Sequence, residues 1–125
     1  TLAVKTRLPL SGIPIRIGMT PDGRTALVTC AGAGEIVAFD VATRAERRRA
    51  RVAVPLAQGA QERSFARLAP GSVLPVGLLV PRDCRSAYVA ATMGDPASSG
   101  STPARLISCA ASTWVANRTA WAARR

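Results

Sequence analysis

The chain has 125 residues, 48% of them apolar, and a formal net charge of +10; it can bury one core and is not a compositionally disordered polymer. It contains no histidine, which removes the usual zinc sites, His-based triads and His general bases. Its longest apolar run, VLPVGLLVP at residues 73–81, is interrupted by Pro75 and Gly77 and is under half of the roughly 20 residues a spanning helix needs.

Thr1 opens in mid-pattern, without an initiator Met or an exported leader, so the expectation is a piece of a longer protein. Ile13 to Met19 reads as a short apolar strand. The TPDG that follows places Pro21 second and Gly23 fourth, as type I turns prefer, with Asp22 expected to bond its own backbone. RTALVTC is a second strand, AGAG a glycine-dependent loop, and EIVAFD a third strand that is apolar on both faces, as expected where sheets stack. VATR turns the chain, and RRRARVAVPL, ending at Leu56, makes a fourth, outermost strand.

Sixteen of the seventeen cations are Arg, and the densest cluster, residues 44–51, falls on that fourth strand. Charge on an edge strand blocks unwanted pairing, and that is the preferred reading. A polyanion site is the alternative, but two Trp, two Phe and one Tyr are too few for a base-stacking platform, so nucleic acid is not the expected partner. Cys30, Cys84 and Cys109 have no metal-ligand spacing, and their odd number does not suggest a disulfide framework. Cys30 reads as a small apolar strand residue.

The pattern then repeats. IPIRIGMTPDGRTALVTC, from Ile13, lies without a gap over LPVGLLVPRDCRSAYVAA, from Leu74, at an offset of 61 residues. Pro14 falls on Pro75, Asp22 on Asp83, Arg24 on Arg85 and Val28 on Val89. Four antiparallel strands in a meander, followed by a repeat, are the signature of a propeller blade. The offset exceeds the roughly 40 residues usual for a blade, and the excess is AQGAQERSFARLAPGSV, residues 57–73, read as an inserted loop.

TPDGRTALVTCAGAGEIVAFDVATR resembles the YVTN family of β-propeller repeats: a strand, PDG, an aliphatic strand, a Gly-rich turn, and an aliphatic strand closing in D-x-x-T, here Asp40 and Thr43. The second copy departs from the pattern at its turn, where Arg82 stands for Pro21 and Cys84 for Gly23. The resemblance implies an all-β fold of antiparallel four-stranded meanders forming an incomplete propeller ring, from a larger exported bacterial protein found in the periplasm, outside the cell or on its surface. The expected divisions are residues 1–12 as the end of a preceding blade, 13–56 as a blade, 57–73 as the inserted loop, 74–95 as the first half of the next blade, and 96–125 as an irregular or weakly helical tail.

From Pro96 onward the chain has no acidic residue and no alternation. Re-read one base earlier, with GC-rich third positions, the same stretch supplies a third strand, a D-P-G-T turn, a fourth strand and a new PDG. The expectation is therefore that residues 96–125 are blade sequence read out of frame.

Loops at the rim of a rigid repeat scaffold are where binding is usually placed. The candidates are Gln61, Glu62, Arg63, Phe65 and Arg67 in the inserted loop, together with the turn from Gly32 to Glu35. Pro21, Asp22, Gly23, Asp83, Asp40 and Thr43 are structural turn residues, and no catalytic, cofactor-binding or metal-binding residue is expected. The functional expectation is a non-catalytic interaction module for an unknown protein or surface ligand, with self-association through open sheet edges as a further possibility. The alternative is a fragment of a lactonase-like, quinoprotein or metal-dependent propeller oxidoreductase whose active residues lie in other blades.

Overall fold

The structure, a computed structural model, describes residues 2–52, 56, 58–59, 62, 68–83, 86–93, 104–108 and 116–117, with 86, 104–108 and 116–117 described as backbone. Eight strands follow in order: β1 (Pro14–Met19), β2 (Thr25–Cys30), β3 (Glu35–Asp40), β4 (Glu46–Arg51), β5 (Pro75–Leu79), β6 (Ser86–Ala91), β7 (Ala104–Ser108) and β8 (Ala116–Asn117). They form two four-stranded antiparallel meanders, β1-β2-β3-β4 and β5-β6-β7-β8.

The repeat read from the sequence is also a repeat in register. Pro14 pairs with Cys30 and Arg16 with Thr29, skipping Ile15 in a bulge. Pro75 pairs with Ala91 and Gly77 with Ala90, skipping Val76 in the same way, 61 residues later. The hydrogen bond from Ala31 N to Ile13 O (2.8 Å) returns as Thr92 N to Leu74 O (3.2 Å). A bulge re-aims every side chain beyond it, so keeping it in place keeps the same residues on the same face.

Directly opposed residues of a sheet share a face, and this sorts the core. Leu27, Thr29, Ile36 and Ala38 point toward the second sheet, where Ala87, Val89 and Ala91 point back. Val52, Val73 and Leu78 complete this inter-sheet core. On the other face of the first sheet Val28, Cys30, Val37 and Phe39 are buried, with Leu10 and Ala33 against them. Both faces of β2 and β3 are thus covered, which is why EIVAFD has no polar alternation. Gly18 permits the sheets to approach: a Cβ there would lie 3.0 Å from Val80 Cγ2 and 3.1 Å from Leu78 Cδ2.

Two details differ from the sequence reading. The fourth strand ends at Arg51 rather than Leu56; Val52 N extends the same register by one bond to Gly34 O (2.9 Å), and residues 53–55 lie outside the described residues. Residues 96–125, expected to be irregular or weakly helical, contribute β7 and β8. The physical reason is that β6 would otherwise present an unpaired row of N–H and C=O groups, and pairing with them needs only a backbone. The all-β, antiparallel, unclosed architecture is otherwise as expected.

The turn after β3 contains a strained residue. Arg44 has φ of +57°, a left-handed conformation that costs a side-chain-bearing residue about 1–2 kcal/mol. Among the described residues its guanidinium makes an exposed hydrogen bond to Thr6 Oγ1 (3.2 Å). Glycine loses some of this advantage through the freedom of its unfolded chain, so Arg44→Gly is expected to raise stability by up to about 1 kcal/mol, read as a higher midpoint in urea.

Candidate functional site

A meander places alternate turns at opposite ends, giving this fold two rims. At one rim lie the turns after β1, β3 and β5. The first is held by Gly23 N donating to Thr20 O (2.8 Å), with Gly23 at φ of +68°. Asp22 Oδ1 accepts from Thr20 Oγ1 (2.6 Å) and Arg24 N (3.0 Å), while Pro21 occupies the preceding position. In the second, Asp40 Oδ1 accepts from Thr43 N (2.9 Å). Asp83 is exposed in the third.

These contacts hold two carboxyls below their ordinary value of 3.8: Asp22 through the Thr20 hydroxyl and then the Arg24 N–H, Asp40 through the Thr43 N–H. Unfolding returns each to the ordinary value, so the unfolded chain takes up protons first. The stability they supply is complete above the ordinary carboxylate range and is lost as pH falls through the lowered folded values. A double variant, Asp22→Asn with Asp40→Asn, keeps the acceptor oxygens but removes the titration. Its stability is expected to lie below the wild type at pH 7 and to converge with it in acid, as urea midpoints measured across that range would show.

At the opposite rim the turn between β2 and β3 is gripped from two sides. Ala31 N donates to Ile13 O, and a Cβ on Gly12 would meet Ala33 N at 2.6 Å. From the far side Ala69 N donates to Gly32 O (2.8 Å), and the fully buried Ser72 donates through Oγ to Ala31 O (2.6 Å). Gly34, at φ of +70°, lies so close to Ser72 that a Cβ would stand 2.9 Å from its Cα. The turn from Gly32 to Glu35 and the end of the inserted loop, named separately from the sequence, are therefore one surface. Of the five loop candidates, Glu62 is exposed; Gln61, Arg63, Phe65 and Arg67 lie outside the described residues.

Ser72 and Gly12 were not singled out in the sequence as contact residues. The usable signal was the repeat itself, for Ser11 and Pro9 fall on Ser72 and Pro70 at the same 61-residue offset.

The arginine-rich strand is largely engaged within the fold. Arg49 pairs with Glu46 (2.8 Å) and Glu35 (3.0 Å), and its guanidinium also donates to Ser11 Oγ. These contacts raise Arg49 above its ordinary value, first through Glu46, and lower Glu46. Arg47 stands 3.8 Å from Asp40, and Arg51 donates to Pro70 O (3.3 Å). Such exposed pairs are screened by solvent and orient side chains more than they stabilise the fold.

Cys30 is enclosed, and burial pushes its thiol above the ordinary value, so it stays neutral at pH 7. Among the described residues no three His, Cys, Asp or Glu side chains gather as a metal-holding group, and no helix is long and apolar enough to cross a membrane. A shallow depression lies over Ile36, Ala38, Arg48, Arg49 and Ala50 but encloses no volume that even a water molecule could fill, against the roughly 300–1,000 Å³ of small-molecule sites.

No family model matches the chain, and no curated protein matches it. Among solved structures it resembles Kuenenia stuttgartiensis hydrazine synthase, a propeller-containing protein, with a TM-score of 0.52 and 16% identity. The likeness covers 86% of this chain and 24% of that one. The fold is an incomplete β-propeller. At this identity the likeness carries the fold alone, and the chain spans about a quarter of the length of its neighbour.

Proposed function

We propose that the chain is a non-catalytic binding module, a run of YVTN-like propeller repeats belonging to a larger exported bacterial protein, and that its ligand meets the rim shared by the β2–β3 turn and the inserted loop. The observation that carries this is the double attachment of Ala69 and Ser72 to that turn. It fixes the base of a polar loop on a rigid sheet, the arrangement in which loops can vary while the scaffold does not. The PDG turn and the Asp40–Thr43 closure support the family reading.

The test is saturable binding on arrays of cell-envelope glycans and peptides, by the chain and by a variant in which residues 58–68 are replaced with a Gly/Ser linker. Loss of binding in the variant, with its β-sheet circular dichroism unchanged, is expected. Binding indifferent to the replacement would overturn the assignment of the rim. Turnover of a lactone or of a redox dye by the purified chain would favour the enzymatic alternative.

We also infer that residues 96–125 are propeller coding sequence read out of register. Support comes from the loss of all acidic residues beyond Asp95. It comes too from the late third strand: Ser86 pairs with Ser108, 22 positions on, where Thr25 pairs with Asp40, 15 positions on. Sequencing the locus is expected to find further propeller codons downstream in the other frame. Their absence there would sink the inference.

A further inference from the structure

Each sheet uses one face for the other sheet, and each leaves apolar groups on its second face. On the first sheet Ile17 and Met19 lie beside Val28 and Ala26, facing away from the second sheet, and are 70% and 46% exposed. On the second sheet Leu79 and Tyr88 oppose one another, face away from the first sheet, and are 63% and 41% exposed. Monomeric proteins seldom leave paired apolar faces in water.

The 61-residue offset states what these faces match. Leu78 and Val89 stand where Ile17 and Val28 stand in the first sheet, while Leu79 and Tyr88 stand where Gly18 and Leu27 stand. In the interface already formed between the two sheets, Leu78 packs on the face that carries Gly18 and Leu27. The two free faces are therefore the two halves of that same contact, one at each end of the pair.

We propose that these are the faces on which adjoining repeats of the larger protein proposed above would stack, and that in the 125-residue chain by itself the Leu79–Tyr88 face of one copy docks on the Ile17–Met19 face of a second copy in their place, continuing the sheet-on-sheet stack. This contact is head-to-tail rather than two-fold, so every copy keeps one face of each kind, and the stack grows until it closes or stops. Leu79 and Tyr88 are bulkier than Gly18 and Leu27, and residues 2–12 already cover part of the acceptor sheet through Leu10. The contact is therefore looser than the internal one and reversible. It buries faces, whereas edge pairing would use the backbone of β1 or β8.

The experiment is sedimentation velocity on the full chain over a range of concentrations, with reductant for the cysteines and enough salt to screen the charge of +10. The wild type is expected to reach at least twice its monomer mass as concentration rises. Ile17→Arg and Leu79→Arg are each expected to remain monomeric. Both sites are exposed, so circular dichroism should match the wild type. An equimolar mixture of the two variants retains one intact pair of faces and is expected to form dimers that grow no further. A wild type that is monomeric at every concentration, a variant that associates as the wild type does, or a mixture that stays monomeric or grows past dimers would overturn the proposal.

Discussion

Leu27→Ala is expected to cost about 2–5 kcal/mol, the range for emptying a well-packed buried leucine site. The side chain is 1% exposed, in the middle of β2, where it meets Ala38 and Ala87 with Leu78 and Val80 beside them. Two of those neighbours are alanines, too short to swing into the space, and the strands that carry them are fixed by ladder bonds on both sides. The cavity would therefore persist rather than collapse. Small domains have about 5–15 kcal/mol in total, so this one change removes a large fraction of it. Urea unfolding should show a lowered midpoint with an unchanged slope. Ile17→Ala, at an apolar residue 70% exposed on the neighbouring strand, should shift the midpoint by less than about 0.5 kcal/mol in equivalent stability. Equal effects at the two sites would mean that the core does not lie between the sheets.

The second large effect separates two costs that a glycine can hide. Gly23 and Gly34 have nearly the same positive φ, +68° and +70°, but a Cβ at Gly23 would meet nothing within 4 Å, whereas at Gly34 it would press on the Ser72 backbone. Gly23→Ala should thus lose only the conformational part, about 1 kcal/mol. Gly34→Ala should lose that and a further 1–3 kcal/mol or so for overpacking, because a backbone neighbour cannot rotate aside as a side chain can. It should also loosen residues 69–72 from the turn, which amide hydrogen exchange at Ala69 would report as faster exchange in Gly34→Ala but not in Gly23→Ala. Matching losses in the two variants would remove the close approach as a structural constraint.

The repeat was legible because turns and strand spacing are local. Pro21, Gly23 and the aliphatic run of β2 specify their conformations with little help from the rest of the chain, and the second copy has enough of the same residues to align. The bulges were hidden, since Ile15 and Val76 look like ordinary members of an alternating strand. Only the pairing shows that each is skipped. The rim was half legible: AGAG announced a turn, yet nothing local links Ser72 to Ala31, 41 positions away. The tail was read least well, because ARLIS has no strong period and its strand exists through the pairing that β6 offers.

One consequence of that rim concerns chain entropy. Val52 N donates to Gly34 O and Ala69 N to Gly32 O, so the intervening segment leaves and returns to the same four-residue turn. Its ends are held together by the scaffold, and its length enters the stability only as the logarithm of the loop. Doubling it would cost about 0.6 kcal/mol. Insertions and deletions beyond Leu56, which packs against the inter-sheet core, are therefore nearly neutral for folding, and residues 58–68 are free to change length and composition while both sheets stay as they are.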